Sequence, residues 1–241
     1  MSKDFFFFAI SIKCGPTIAR KTMAQFAVIG LGRFGVTACL ELSKQGHTVC
    51  AADISESTVN HYADQLSFTV VVDASDETQL ARLDLPSCQA VLVAIGENIE
   101  ASILCVLHLK NLGVKQIWVK ACTKSHHQIL SKLGVDRIIH PEEEMGVRVA
   151  QALNYPMVNQ YFPLNQSTFI VELGIDLQLS GRKIGWLLKE RNSDIKPLTL
   201  RRDDYFNTEL TNDTELRHGD SLVLLGSKTY LTKLAKRFRA L

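Results

Sequence analysis

The segment Gly30-Leu31-Gly32-Arg33-Phe34-Gly35 limits what this chain can fold into more than any other part of it. Glycines at the first, third and sixth places are a weak signal alone; the flanks decide their meaning. Here an apolar run, Phe26–Ile29, leads into them, and an amphipathic stretch, Phe34–Gln45, with Cys39, Leu40 and Leu42 among its apolar positions, leads out. A strand that turns through glycines into a helix is the opening of a dinucleotide-binding unit. Gly30 allows the tight turn, Gly32 lets backbone come close to phosphates, and Gly35 allows the helix to pack closely on the strand. Phosphates would rest on free amides at the helix N-terminus, where the dipole is positive.

The pattern continues for about 130 residues. Strands are predicted at Thr48–Ala52, Thr69–Val72, Ala90–Ile95, Gln116–Ala121 and Arg137–His140. Helices are predicted at Thr58–Gln65, Thr78–Leu83, Ala101–Leu112, Ser125–Leu133 and Glu142–Leu153, two of them ended by Gly113 and Gly134. The strands are continuous Val/Ile/Ala runs, as expected for parallel strands covered on both faces. The fold class is therefore α/β, a Rossmann-type doubly wound parallel sheet. After Leu153 the pattern changes. Tyr155-Pro156 and Phe162-Pro163 punctuate a short connection. Strands follow at Phe169–Leu173, Ile195–Arg201 and Ser221–Leu225, with helices at Ile184–Lys189 and Lys228–Arg239, which makes a small second α+β domain. The division reads as residues 1–22 an N-terminal extension, 23–152 the nucleotide-binding domain and 153–241 the second domain. The Phe5–Ile12 run mimics a short signal-peptide core, but Asp4 sits beside it and no small-residue cleavage site follows. Met23 immediately precedes the first strand, so residues 1–22 are expected to lie outside the fold, upstream of a later start.

Bulk properties exclude several classes. The net charge is +2 among 241 residues, too balanced for a nucleic-acid face. The basic C-terminal stretch, Lys233, Lys236, Arg237 and Arg239, reads as the positive end of a last helix. No apolar run reaches the ~18–20 residues that span a bilayer. The six cysteines, Cys14, Cys39, Cys50, Cys88, Cys105 and Cys122, form no C-x-x-C pair and read mostly as packed, reduced thiols. His126 and His127 are adjacent on a predicted helix, point apart, and are assigned to helix surface or interface. No nucleophile elbow, P-loop lysine or H-E-x-x-H appears.

Two aspartates follow the glycine motif. Asp53 ends the second strand 18 residues beyond Gly35, close to the spacing of the acid that holds ribose hydroxyls, and its charge disfavours a 2′-phosphate. Asp73-Ala74 ends the third strand, where a carboxylate reaches an adenine edge. Either aspartate could instead cap a turn or helix. Arg33, inside the glycine motif, can pair with a terminal phosphate or simply be solvated. Glu142, in the acidic first turn His140-Pro141-Glu142-Glu143-Glu144, either complements a helix dipole or ligates a divalent cation such as magnesium near bound phosphates.

Several collinear motifs then carry a resemblance over about residues 24–240: Phe26–Gly35, Ala94-Ile95-Gly96-Glu97-Asn98, Ile117–Ala121 with Lys120, and Gly134–Glu142. Together they resemble the RCK (regulator of K⁺ conductance) family of Trk/Ktr regulatory subunits, in its KtrA-type form with one N-lobe and one C-lobe. The resemblance implies a non-enzymatic cytosolic ring of eight subunits, built from dimers, docked on a KtrB-type potassium-translocating membrane subunit. ATP would activate and ADP inactivate, with NAD or NADH as further ligands of the cleft. Carried over by motif, Gly30, Leu31, Gly32, Arg33, Phe34 and Gly35 hold phosphates, with Arg33 sensing the γ-phosphate across the dimer. Asp53 and Ile54, Asp73 and Ala74, Ile95, Gly96 and Lys120 complete the nucleotide site, and Glu142 lies at a cation site. Cyclic di-AMP binds the C-terminal domain of some relatives, and no motif for it is matched near Arg191-Asn192. The different-class alternative is an NAD-dependent oxidoreductase.

Overall fold

The structure, a computed structural model, describes residues 23–155, 157–188, 195–227, 229–230 and 232–234. The N-terminal extension, Cys14, Arg191-Asn192 and the basic residues Lys236, Arg237 and Arg239 lie outside them. The chain divides into two compact units, one ending at Pro141 and the other beginning at Glu142.

The first unit is built on strands β1 (Gln25–Ile29), β2 (Thr48–Asp53), β3 (Phe68–Val71), β4 (Ala90–Val93), β5 (Ile117–Lys120) and β6 (Arg137–Ile139). They pair in the order β3-β2-β1-β4-β5-β6, every pair parallel. Between them run α1 (Arg33–Lys44), α2 (Glu56–Tyr62), α3 (Glu77–Leu80), α4 (Ile99–Asn111) and α5 (Lys124–Leu133). The sheet has a core on each side. Val28, Val49 and Ala51 face Val36 and Cys39 of α1 and Val59 of α2. Ala27, Ile29, Val91 and Val93 share the other core with Leu80 of α3, Leu109 of α4 and Leu130 of α5. Ala27, Val28 and Ile29 of β1 thus go to opposite faces in turn and are all buried, which is why this stretch shows no alternation. Burial pushes the thiols of Cys39, Cys50 and Cys105 up to about 12, so they are inert packing groups.

Four of the five helices in this unit start on a side chain of their own. The N–H of Thr58 is bonded by Ser55, that of Thr78 by Asp76, that of Ala101 by Asn98 and that of His126 by Thr123. α5 ends on Gly134, left-handed at φ 66°, as its glycine implied. α2 and α4 begin two residues earlier than their apolar periodicity suggests, because the caps Ser55 and Asn98 set the start.

The second unit opens with α6 (Pro141–Asn154), none of whose residues is buried within the chain. The apolar pattern of α6 reads as the close of the first domain, whereas the chain division groups it with the second unit. Strands β7 (Val158–Pro163), β8 (Thr168–Gly174), β9 (Ile195–Arg202), β10 (Tyr205–Asn207) and β11 (Ser221–Ser227) form an antiparallel sheet in the order β10-β9-β11-β8-β7, with α7 (Ile184–Leu187). Phe169, Val171 and Leu173 of β8 alternate into the core beside Leu187, Leu222 and Leu224. Two strands were not expected. β7 is an edge, where Pro163 costs no ladder bond, so its proline does not make it a loop. β10 is three residues long and pairs only with β9. Positions 229, 230 and 232–234 are helical, and the rest of the expected terminal helix lies outside the described residues.

An ion pair with a buried acid pins the end of this sheet. Arg202 donates twice to Asp220, at 2.8 and 2.7 Å, and the Arg217 amide adds a third bond at 2.7 Å. Burial alone would raise the Asp220 carboxyl. The guanidinium and the amide outweigh it and hold the acid below its ordinary range.

Candidate nucleotide-binding site

Strand order reverses direction between β1 and β4, and the loops leaving their carboxyl ends diverge there, which opens a crevice in this class of sheet. The glycine loop leaves β1 at this point. Gly30 has φ +100°, a conformation that favours glycine, and a methyl on it would meet the Ala94–Ile95 backbone at 2.9 Å. A methyl on Gly35 would lie 1.9 Å from the Gly30 carbonyl oxygen, so the loop folds back onto its own helix. Gly32 differs from both. Its φ is −66°, and a methyl there would meet nothing within 4 Å. Neither strain nor packing in the chain itself demands glycine at 32, and the free space there would let a ligand approach the backbone.

The same place lacks a cap. α1 has no side-chain bond to its first amides and no acid in its first turn. Its opening therefore keeps amides that no side chain of its own first turn satisfies, at the positive end of the helix. Arg33, exposed at the first helical position, adds a full positive charge. Leu31 is buried and Phe34 half-buried in the core under the loop, so these two offer a ligand their backbone, not their side chains.

Asp53 is wired to the loop. Its Oδ2 accepts the Leu31 amide at 2.6 Å and its Oδ1 the Ser55 amide at 2.8 Å. An ionised carboxylate has about four acceptor positions, which leaves room for ribose hydroxyls beside these two bonds. The capping bonds of Asp53 therefore do not use up its acceptor capacity. Ile54 is 68% exposed next to it, an apolar side chain available to a flat base. Asp73 Oδ1 accepts the Ser75 amide at 2.9 Å and the Ser75 hydroxyl at 2.6 Å. Ala74 is buried, so only its backbone can serve. Beyond β4, Ile95 packs partly on the core. The Lys120 ammonium lies 3.3 Å from the place a methyl on Gly96 would take. The Cys122 thiol is exposed and donates to the Gly96 carbonyl at 3.0 Å. Gly30, Asp53, Asp73, Gly96 and Lys120 thus lie along one edge of one sheet.

Glu142 heads the second unit and is exposed on α6. Among the described residues no three His, Cys, Asp or Glu side chains are grouped as a metal site. The histidine pair needs correction. His126 is 1% exposed, not on the surface: it lies one turn from buried Leu130, and its Nδ1 accepts the Cys122 amide at 3.4 Å. Burial, reinforced by His140, keeps its pKa below the ordinary value. His127 does reach outward, and its Nδ1 meets His140 Nε2 at 2.9 Å.

With this geometry in view, comparison with known proteins is direct. Residues 26–141 match the TrkA-N domain family. The chain is 41% identical to the Ktr system potassium uptake protein A of Bacillus subtilis over 89% of this chain and 95% of that one. It is 35% identical to the protein of the same name from Vibrio alginolyticus, over 90% and 97%. In fold it is similar to the GsuK RCK domain, with a TM-score of 0.61 and 18% identity over 89% of this chain and 47% of that one. It is also similar to the GsuK channel bound to NAD, with a TM-score of 0.59 over 93% and 41%.

Proposed function

The chain belongs to the Ktr system potassium uptake protein A family, and on that footing we propose that it is the nucleotide-sensing regulatory subunit of a potassium-translocating membrane protein. The relatives are named for potassium uptake, and that removes the oxidoreductase alternative. The single observation that carries the nucleotide reading is the uncapped, arginine-headed start of α1 over an open Gly32. Phosphates bond the first amides of α1, Asp53 takes the ribose, and Asp73 and Ile54 border the adenine. The binding of NAD by a protein of similar fold supports an adenine nucleotide in this crevice.

The finer reading is that ATP activates and ADP inactivates. A ligand shifts an assembly only as far as its affinity differs between two shapes. One extra phosphate paired with Arg33 supplies such a difference. Dimers assemble into an octameric ring on the inner face of the plasma membrane, against a KtrB-type subunit. α6 supports self-association, because Met145, Val149 and Leu153 recur along it at one-turn spacing and each is at least half exposed. Among the described residues no helix is long and apolar enough to cross a membrane. Glu142 would meet a divalent cation such as magnesium beside the phosphates. Calorimetric titration with ATP, ADP, NAD and NADH tests the reading, on protein sized by light scattering. Wild-type protein is expected to prefer ATP, and Arg33→Ala to bring ATP and ADP to within about twofold of each other. An unchanged preference in Arg33→Ala overturns the assignment of the γ-phosphate to this residue.

A further inference from the structure

The turn that carries Asp73 and Ala74 is held by a side chain with no part in the site so far. His108, in the last turn of α4, has an acceptor at each ring nitrogen. Its Nδ1 lies 3.0 Å from Glu77 Oε2, and its Nε2 lies 3.0 Å from the Ser75 carbonyl oxygen. The ring is 17% exposed. A carbonyl oxygen and an ionised carboxylate can only accept, and a neutral imidazole has one N–H to give. Both bonds form together only when the ring carries two protons. Ser75 in turn donates its amide and its hydroxyl to Asp73 Oδ1. A continuous hydrogen-bonded path therefore runs from His108 through Ser75 to the carboxylate at the adenine side.

We propose that His108 is a positioning residue for the nucleotide site: doubly protonated, it clamps the Ser75–Glu77 turn to α4 and so fixes Asp73. The proposal rests on the nucleotide reading of the preceding subsection. On losing one proton the ring keeps one of the two bonds and the turn loosens, so nucleotide binding weakens as pH rises. The charged groups around it are accounted for. Glu77 of α3 faces the ring, and Asn111 of α4 donates to the same carboxylate at 3.4 Å. Lys110 is turned to the Gly134 carbonyl at 2.8 Å, and Asp76 holds the Thr78 amide and the Gln79 side chain. Asp73 stands one residue away, through Ser75.

The test is the affinity of the full chain for ADP from about pH 6 to about pH 8.5, a span that brackets the ordinary histidine titration. Wild type, His108→Gln and Glu77→Gln are compared. The titration of the ligand's own phosphates is common to all three and cancels in their ratios. Wild-type affinity is expected to fall by about fivefold more than that of His108→Gln across the range, the effect of one net hydrogen bond. Glu77→Gln, half-exposed and tolerant of change, should flatten the profile in the same way should His108→Gln fold poorly. Amide hydrogen exchange of the 73–80 segment without nucleotide reads the clamp separately, corrected for intrinsic rates. Protection at low pH that His108→Gln abolishes supports the clamp. Equal pH profiles in wild type and both variants, or equal protection in wild type and His108→Gln, overturn it. Failure of wild type to bind any adenine nucleotide overturns the nucleotide reading instead, while exchange still decides the clamp.

Discussion

Helices α1 and α5 begin at the same edge of the same sheet, yet only one of them finishes its own N-terminus. α5 has Thr123, as α2 has Ser55 and α4 has Asn98; α1 has Gly32, which carries no side chain to accept a bond. A side-chain cap contributes about 1 kcal/mol, so omitting one has a stability cost. The contrast separates two duties of a helix end. Four ends, that of α3 with Asp76 included, are closed by the chain and serve the fold. The fifth, that of α1, has no such side chain, has room above Gly32 and an arginine beside it, and is suited to an anion from outside.

Substitutions can break or sharpen this contrast. The largest effect is expected at Gly35, where the loop meets its own helix. Gly35→Ala drives a methyl against the Gly30 carbonyl and should cost more than about 3 kcal/mol in urea unfolding. Next is Gly32→Asp, which gives α1 the cap it lacks. The backbone at 32 is extended and roomy, so unliganded stability should hold or rise by about 1 kcal/mol. Nucleotide affinity should fall on the order of a hundredfold, because a carboxylate then occupies and repels the phosphate position. A variant that binds as tightly as wild type would erase the distinction between the two kinds of helix end. The smallest effect is on the control side. Thr123→Ala should lower stability by about 1 kcal/mol and leave nucleotide affinity within about twofold of wild type in the same titration.

Much of the first unit could be read from the chain because its signals are local. Glycines at 30 and 35 meet backbone within a few residues or one strand away, and runs such as Val49–Ala52 report burial on both faces directly. The second unit was harder. β7 has two prolines beside or within it and becomes a strand only through its pairing with β8, a contact the local sequence does not announce. Within the site, residue type alone did not show direction: Leu31 and Ala74 turn into the core and leave their backbone to the crevice. His126 followed a period of four with Leu130, a signal present in the sequence but overshadowed by the adjacent His127. His108 could not be found by spacing at all, since Glu77 and Ser75 lie 31 and 33 residues away.

The open end of α1 also bears on how long the protein lasts. A fold that binds a small molecule in its native state gains stability as that molecule's concentration rises, by mass action. Were a nucleotide held there, resistance to proteases and to heat would rise with its concentration.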